Sequence, residues 1–285
     1  MRIARSLLAP LLLWGLALAL HAEPAAVIAP SDVWRDYRML LGQRDPLTLT
    51  QFRGMGTRRD VVELVLVQQA LRLGGWREGI RPVEATAYSR ILREIADGRA
   101  LVSGTTAWRA DLAPLGAEVY ISRALIGPGQ SVAGFYTVPG NVRALAARNL
   151  DEVRQLRAVS NRQWRADWEV LSRLGLQELY DVAAWPSMVA MLAAGRADVV
   201  LAPFQPGNTM QFKTGGATLV PVPNIKVSLP GSRHFAVSLL APQGHEVAQA
   251  LDRGLALLQQ RGVIRRAYEQ AGFINPRVAG WTTLN

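Results

Sequence analysis

Beyond its first thirty or so residues the chain switches repeatedly between a helical and a strand-like hydrophobic period. In "DVVELVLVQQALRLGG" (60–75) apolar side chains fall at Val61, Leu64, Val65, Leu71 and Leu73, the spacing of a helix face. Asp60 stands where an N-cap is expected, and Gly74 where a helix stops. "IRPVEAT" (80–86) reads as a short strand, "AYSRILREIADG" (87–98) as a helix ending at glycine, and "RALVS" (99–103) as a buried strand. Further on, "EVRQLRAVS" (152–160) reads as a strand and "RADWEVLSRLG" (165–175) as the helix after it. "PSMVAMLAAG" (186–195) is again a helix ending at glycine, with Pro186 at its start, and "RADVVLA" (196–202) is the strand that follows. "VAQALDRGLALLQQRG" and "VIRRAYEQAGF" form two C-terminal helices. Strands and helices alternating at these lengths imply α/β layers with largely parallel sheets.

One pattern occurs twice. "ILREIADGRALV" (91–102) and "MVAMLAAGRADVV" (188–200) both run from an amphipathic helix through Gly-Arg-Ala into a buried strand. Gly98 aligns with Gly195, Ile95 with Leu192 and Arg99 with Arg196. Helix–glycine–strand is common in α/β proteins, so the echo is compatible with coincidence; its sharper reading is two similar lobes, each with its own sheet. Ligands of open α/β sheets collect beyond the carboxyl ends of the strands. Those ends are "GTTAWR" (104–109) in the first copy and "PFQPGNT" (203–209) in the second. "SVAGFYTVPGN" (131–141) and "SRHFAVSLLAP" (232–242) bracket the second lobe as strand-like segments, which makes the first lobe discontinuous and leaves a cleft between the two.

Composition narrows the classes. Residues 1–22 carry Arg2 and Arg5, then "LLAPLLLWGLALAL", then small residues, which is the order of a secretory signal peptide with cleavage after Ala22; a retained membrane anchor is the alternative. There is no cysteine, so disulfides, thiolate chemistry and a cysteine-linked lipid anchor are excluded. About 260 residues after such a cut suit one large domain or two smaller ones. The formal net charge is +10 and is carried by arginine, Lys213 and Lys226 being the only lysines. The arginines are scattered and no basic run is interleaved with aromatics, which argues against a nucleic-acid surface. His234 and His245 are the only histidines after residue 22, no His/Asp/Glu group has metal-ligand spacing, and no nucleophile elbow or phosphate loop appears. No metal or cofactor is expected.

Taken in order, the segments resemble the family 3 extracellular solute-binding proteins. The order is a leader, the helix near 61–73, "YSRILREIADGRALVSGTTAWR", a crossing strand, "GRADVVLA", a second crossing strand and "ALDRGLALLQQRGVIRRAYEQAGF". The resemblance spans roughly residues 55–275, and its most specific parts are Thr-x-x-Arg at 106–109 and "L-x-x-G-R-x-D" at 192–198. It implies the two-lobe type II periplasmic-binding-protein fold, an α/β architecture in which each lobe is a mostly parallel sheet flanked by helices, with the ligand cleft between. Lobe 1 is expected over 31–132 and 239–285, and lobe 2 over 133–238. By resemblance Thr106 and Arg109 grip a ligand carboxylate, which a planar guanidinium can hold through two parallel hydrogen bonds. Thr105 is a second hydroxyl donor for the same oxygens. In the second lobe Ser160, Asn161 and Arg162 lie at a helix start, where backbone N–H groups favour anions, and Trp164 can stack on a flat ligand.

Other residues read more plainly. Trp168 is expected in the core, Asp198 as the residue that fixes the turn before its strand, and Arg58 and Arg59 as a solvated pair. Amino-acid binders of the family carry an aspartate where this chain has Pro203, and their early aromatic–proline loop is replaced by "TLTQFRGMGTRRD". The expectation is a periplasmic, monomeric, non-enzymatic receptor. It closes on a small carboxylate-bearing solute and hands it to an inner-membrane ABC-type permease. A sensor module of the same fold signalling to a membrane protein is the alternative. A periplasmic dehydratase-like enzyme is a remoter one, because it needs an acid/base pair in a cleft whose identified segments hold few carboxylates.

Overall fold

The computed structural model describes residues 23–285; the signal peptide assigned to residues 1–22 lies outside the described residues. In chain order the first part contains β1 (Ala25–Pro30), α1 (Ser31–Leu41), α2 (Arg59–Leu73), β2 (Ile80–Ala85), α3 (Tyr88–Ala96), β3 (Val102–Ser103), β4 (Ala107–Trp108), α4 (Arg109–Leu112) and β5 (Val119–Ile121). The middle part contains β6 (Val132–Thr137), α5 (Val142–Ala146), α6 (Leu150–Arg154), β7 (Arg157–Ser160), α7 (Arg165–Leu174), β8 (Glu178–Asp181), α8 (Trp185–Ala193), β9 (Val199–Pro203), β10 (Phe212–Thr214), β11 (Ala217–Pro221) and β12 (Ile225–Ser228). The chain then runs through β13 (Arg233–His234), β14 (Ala236–Ser238), α9 (Gly244–Gln260), α10 (Val263–Gln270) and β15 (Thr282–Thr283).

Among the described residues two large sheets form, as a two-lobe architecture requires, beside a two-stranded antiparallel pair of β13 and β4. The first has the order β2-β1-β3-β14-β5, with β1 parallel to β2 and β3, and β14 antiparallel to both its neighbours. The second has the order β10-β11-β6-β9-β7-β8, with β12 also on β6 and β15 on β12; it is parallel at β9-β7-β8 and β12-β15 and antiparallel at its other pairs. The repeated sequence pattern becomes a repeated structure. Gly98 and Gly195 both have positive φ, and Gly98 N–H and Gly195 N–H bond back to the carbonyls of Ile95 and Leu192. Arg99 N–H and Arg196 N–H then reach Glu94 and Met191, so both helices end in the same left-handed glycine turn.

Three passages join the sheets. Residues 122–131 lead from β5 to β6, residues 229–232 lead from β12 back to β13, and the tail after α10 crosses again to place β15 on β12. The first two are laced together: Leu125 N–H bonds to Arg233 O at 3.0 Å, Arg233 N–H to Ile126 O at 2.9 Å and Leu229 N–H to Ser131 O at 2.8 Å. His234 sits buried in this strip, between Ser122 O (2.7 Å from Nδ1) and Ser232 Oγ (2.7 Å from Nε2). A carbonyl can only accept, so Nδ1 carries the proton and Nε2 accepts from the serine. Burial lowers the His234 pKa and keeps the ring neutral.

Some boundaries differ from the sequence reading. Residues 152–160 are not one strand, because α6 occupies their first part: Asn149 caps it by accepting from Glu152 N–H at 3.0 Å, while the Glu152 carboxylate accepts from Arg148 N–H at 2.6 Å. The strand expected at 99–103 shrinks to Val102–Ser103, since residues 99–100 complete the glycine turn. Asp60 is not the cap of α2; the cap position belongs to Arg58, and Asp60 pairs with it at 2.6 Å.

Helix α2 is buried along nearly its whole length, from Val61 to Leu71, and is the central helix of the first lobe. Its contact with α9 depends on small residues in register. A Cβ on Gly74 would lie 1.7 Å from Ala250 O, and one on Gly254 would lie 1.8 Å from Ala70 O. Backbone meets backbone here, and no side-chain rotation can make room. Replacing Gly254 by Ala is expected to cost at least about 2 kcal/mol in urea denaturation by overpacking. Gly140→Ala, where nothing lies within 4 Å, should stay within about 0.5 kcal/mol.

Candidate functional site

The site begins with Gly104. A Cβ there would sit 2.5 Å from Leu64 Cδ2 and 3.0 Å from Val27 Cγ1, so only glycine lets the loop after β3 lie down on α2. That close approach brings Thr106 onto Glu63, a carboxylate with no solvent exposure in the middle of α2. Glu63 Oε2 accepts from Thr106 N–H at 2.9 Å, and Oε1 accepts from the Thr106 hydroxyl at 2.8 Å and the Tyr268 hydroxyl at 3.0 Å. Arg59, one turn earlier, spans both oxygens at 2.9 and 3.0 Å. A buried charge is tolerable only when paired and fully hydrogen-bonded, and Glu63 meets both conditions.

The network continues toward the second lobe. Arg233 donates from Nε to Thr106 Oγ1 at 3.0 Å and from Nη2 to Thr106 O at 2.7 Å, and its guanidinium lies 4.5 Å from the centre of the Trp108 ring. Arg59 Nη1 also reaches Thr106 Oγ1, at 3.2 Å. A hydroxyl has one proton and two lone pairs, so every hydrogen-bonding position of Thr106 Oγ1 is in use. Beside it, the Tyr88 hydroxyl lies 2.9 Å from Asp111 Oδ2 and 3.3 Å from Trp108 N.

The electrostatics follow from burial and neighbours. Burial would lower the Arg59 pKa, but the carboxylates of Glu63 and Asp60 reverse that and raise it. The Arg233 pKa is lowered by burial and then by the like charge of Arg59. Burial, followed by the proximity of Glu63, raises the Tyr268 phenol well above its usual range. In the first turn of α7, burial pushes the Asp167 carboxyl up to about 6, with the charges of Arg233 and Arg59 pulling the other way.

The expected residues fall unevenly around this centre. Thr105 and Thr106 are buried at the lobe junction, while Arg109 opens α4 with its side chain exposed and its N–H on Ser232 O at 2.9 Å. In the second lobe Ser160 and Asn161 are buried; the Asn161 amide donates to Ala183 O at 2.9 Å and its oxygen accepts from Gln163 N–H at 2.8 Å. Arg162 is exposed, with its guanidinium 4.8 Å from the Trp168 ring centre and 3.6 Å from Asp181. Trp164 packs toward Trp185, ring centres 6.3 Å apart.

Three plainer expectations can be settled. Asp198 does fix its turn, accepting from Arg157 N–H at 2.9 Å and pairing with the Arg157 side chain at 3.0 Å. Trp168 is not a core residue; it is half-buried beneath Arg162. Arg58 and Arg59 are not a solvated pair, since Arg58 bridges Asp32, Asp36 and Asp60 and Arg59 serves Glu63. Glu63, Arg233, Tyr268 and Asp167 were missed altogether. Glu63 left a trace, a carboxylate inside the unbroken apolar run "VVELVLV" with an arginine four residues before it. Tyr268 left none, because it reaches the site from 205 residues further along the chain.

The lobes also touch elsewhere. Arg165 Nε approaches Asp111 Oδ1 to 3.9 Å, Trp108 belongs to the apolar cluster of the second lobe, and Asn275 Nδ2 donates to Gln205 O at 3.3 Å. Glu63→Leu should lower stability by about 3 kcal/mol in urea denaturation, because it strands two buried hydroxyls and a guanidinium. A loss below about 1 kcal/mol would show that the network contributes little.

No protein-family model matches the sequence, and no match was found among curated proteins. Solved structures do match in fold. The periplasmic VFT2 domain of Bordetella pertussis BvgS superposes with a TM-score of 0.55 at 14% identity, covering 87% of this chain and 92% of that one. The probable amino-acid ABC transporter extracellular-binding protein YtmK of Bacillus subtilis gives 0.55 at 13% identity, covering 88% and 99%. An ancestral arginine-binding protein, solved bound to arginine, gives 0.50 at 12% identity, covering 88% and 99%. The chain thus has the two-lobe α/β fold of these binding proteins.

Proposed function

We propose that this protein is a periplasmic solute-binding protein whose lobes close on a small carboxylate-bearing organic solute and present it to an ABC-type permease. The observation that carries the reading is the pair Arg59 and Arg233. Both guanidiniums are held in place at the lobe junction, at the end of the first sheet where ligands of such folds collect. The fold supports it, since YtmK is described as an ABC transporter binding protein and the ancestral protein holds arginine.

The contacts we assign are Thr105, Thr106 and Arg109 from the first lobe and Ser160, Asn161, Arg162 and Trp164 from the second. Thr106 acts by positioning Arg233, because its own hydroxyl is fully used. The open state holds the solute on one lobe and hinge rotation adds the other. This is a binding role, not an enzymatic one. We place lobe 1 at 31–132 and 239–285 and lobe 2 at 133–238, with the edges shifted so that β1 and β14 go with the first sheet and β15 with the second. A second reading is a sensor module read by a membrane partner. It is favoured by the packing of Trp108 into the second lobe's apolar cluster, which brings the lobes together through the protein's own side chains.

A thermal-shift screen of carboxylates, amino acids and oligopeptides tests the reading. A ligand that binds only the folded state raises Tm, by about 2.7 kcal/mol of stabilisation at one hundred times Kd. Arg109→Ala, at an exposed side chain, should leave the ligand-free Tm unchanged and abolish the rise. An undiminished rise in the variant would place the grip on other residues, and no rise from any compound would turn the assignment toward the sensor module.

A further inference from the structure

The crossing of the chain after α10 is short and tightly seated. Ala271, Phe273 and Ile274, just past α10, pack in the apolar core of the first lobe. Val278 and Trp281 pack in one apolar cluster of the second lobe, and Leu284 in the other. Only Asn275, Pro276 and Arg277 lie between Ile274 and Val278. Four residue steps span at most about 14 Å when fully extended, so the two cores cannot part further on this side while both ends stay packed. The seat begins at the loop after β9. A Cβ on Gly272 would lie 2.2 Å from Pro206 N and 2.4 Å from Gln205 C, so backbone rests on backbone. Arg277 Nη2 donates to Asn208 Oδ1 at 2.5 Å, and the Trp281 ring stands edge-on to Phe204 with centres 5.3 Å apart. Further along, Thr282 N–H bonds to Asn224 O at 2.9 Å and Leu284 N–H to Lys226 O at 3.0 Å. The buried Lys226 ammonium holds Val278 O and Ala279 O from the other side.

We propose that residues 275–285 are an intramolecular clamp. Seated on the second lobe, they fix the spacing of the two cores, and the lobes part beyond the linker's reach only after the segment peels from β12 and from the 203–209 loop. This goes beyond the solute-binding reading and does not rest on it. Two features make the seat releasable. The pairing of β15 with β12 involves only Thr282 and Thr283, both exposed. A terminal segment whose hydrogen bonds depend on so few buried contacts opens well below the free energy of global unfolding. The second feature is Lys226. Among the described residues its ammonium has no carboxylate partner, and it grips through two carbonyls alone. A neutral side chain of similar length at 226 therefore removes the grip without stranding an opposite charge. Trp281 is the apolar counterpart of that grip, since its edge-on contact with Phe204 anchors the same turn to the second lobe.

The test reads the distance between the lobes. The chain has no cysteine, so Met55→Cys on the first lobe and Val142→Cys on the second, at side chains 75% and 77% exposed, take two nitroxide labels. Double electron–electron resonance on this labelled protein should give one narrow distance distribution. Adding Lys226→Met and Trp281→Ala should raise a longer-distance population to about 10% of molecules or more, the upper end of the range for a minor state. Hydrogen exchange of the Thr282 and Leu284 amides, whose partners lie on the second lobe, reports the peeling itself. In the labelled protein without those two changes, urea below the unfolding transition should raise this exchange and the longer-distance population together. If the double substitution fails to fold by circular dichroism, that comparison decides. An unchanged distance distribution in the folded variant overturns the clamp. So does a longer-distance population that appears while Thr282 and Leu284 stay protected. Neither outcome touches the solute-binding reading, which the ligand screen tests separately.

Discussion

A single buried carboxylate organises the first lobe. Glu63 has lost all contact with water, and an unpaired carboxylate in such a place would cost many kcal/mol. Its partners must therefore stay where they are, and they come from distant parts of the chain: Arg59 on the same helix, Thr106 in the loop after β3, and Tyr268 from α10. Thr106 passes the constraint on by holding Arg233 in the strip that joins the lobes. The requirement to satisfy one charge thus positions a second one at the cleft. The glycines serve the same end. Gly104 lets the loop reach α2, and Gly74 and Gly254 let α9 pack tightly enough to bring α10 and Tyr268 to the carboxylate.

Much of this architecture could be read from local pattern. Helix–glycine–strand units are short-range features, and the echo of Gly98 by Gly195 held down to individual hydrogen bonds, because both turns solve the same problem of ending a helix beside a buried strand. Where the reading failed, a polar interaction had overridden the hydrophobic period. The Asn149 cap, backed by the Glu152 carboxylate on Arg148 N–H, turned the start of an apparent strand into a helix. The salt-bridged cluster around Arg58 moved the start of α2.

The site was less legible than the fold, for a physical reason. Thr106 could be singled out because it follows a strand end, a position defined within a few residues. Arg233 and Tyr268 are brought in by tertiary contacts spanning 127 and 205 residues, and no local spacing encodes those. Arg59 looked like a surface arginine because its partner Glu63 lay within a run that reads as pure core. A charged residue inside such a run is costly unless a partner is supplied, and four residues back on the same helix is the nearest place to supply one.

The tail adds a constraint on how the lobes can move. After α10 the chain crosses to the second lobe, where β15 pairs with β12 and Asn285 bonds to both the N–H and the C=O of Ser228. The buried Lys226 ammonium donates to Val278 O at 2.6 Å and to Ala279 O at 3.1 Å, so it caps the turn before β15 and fastens the crossing from the side.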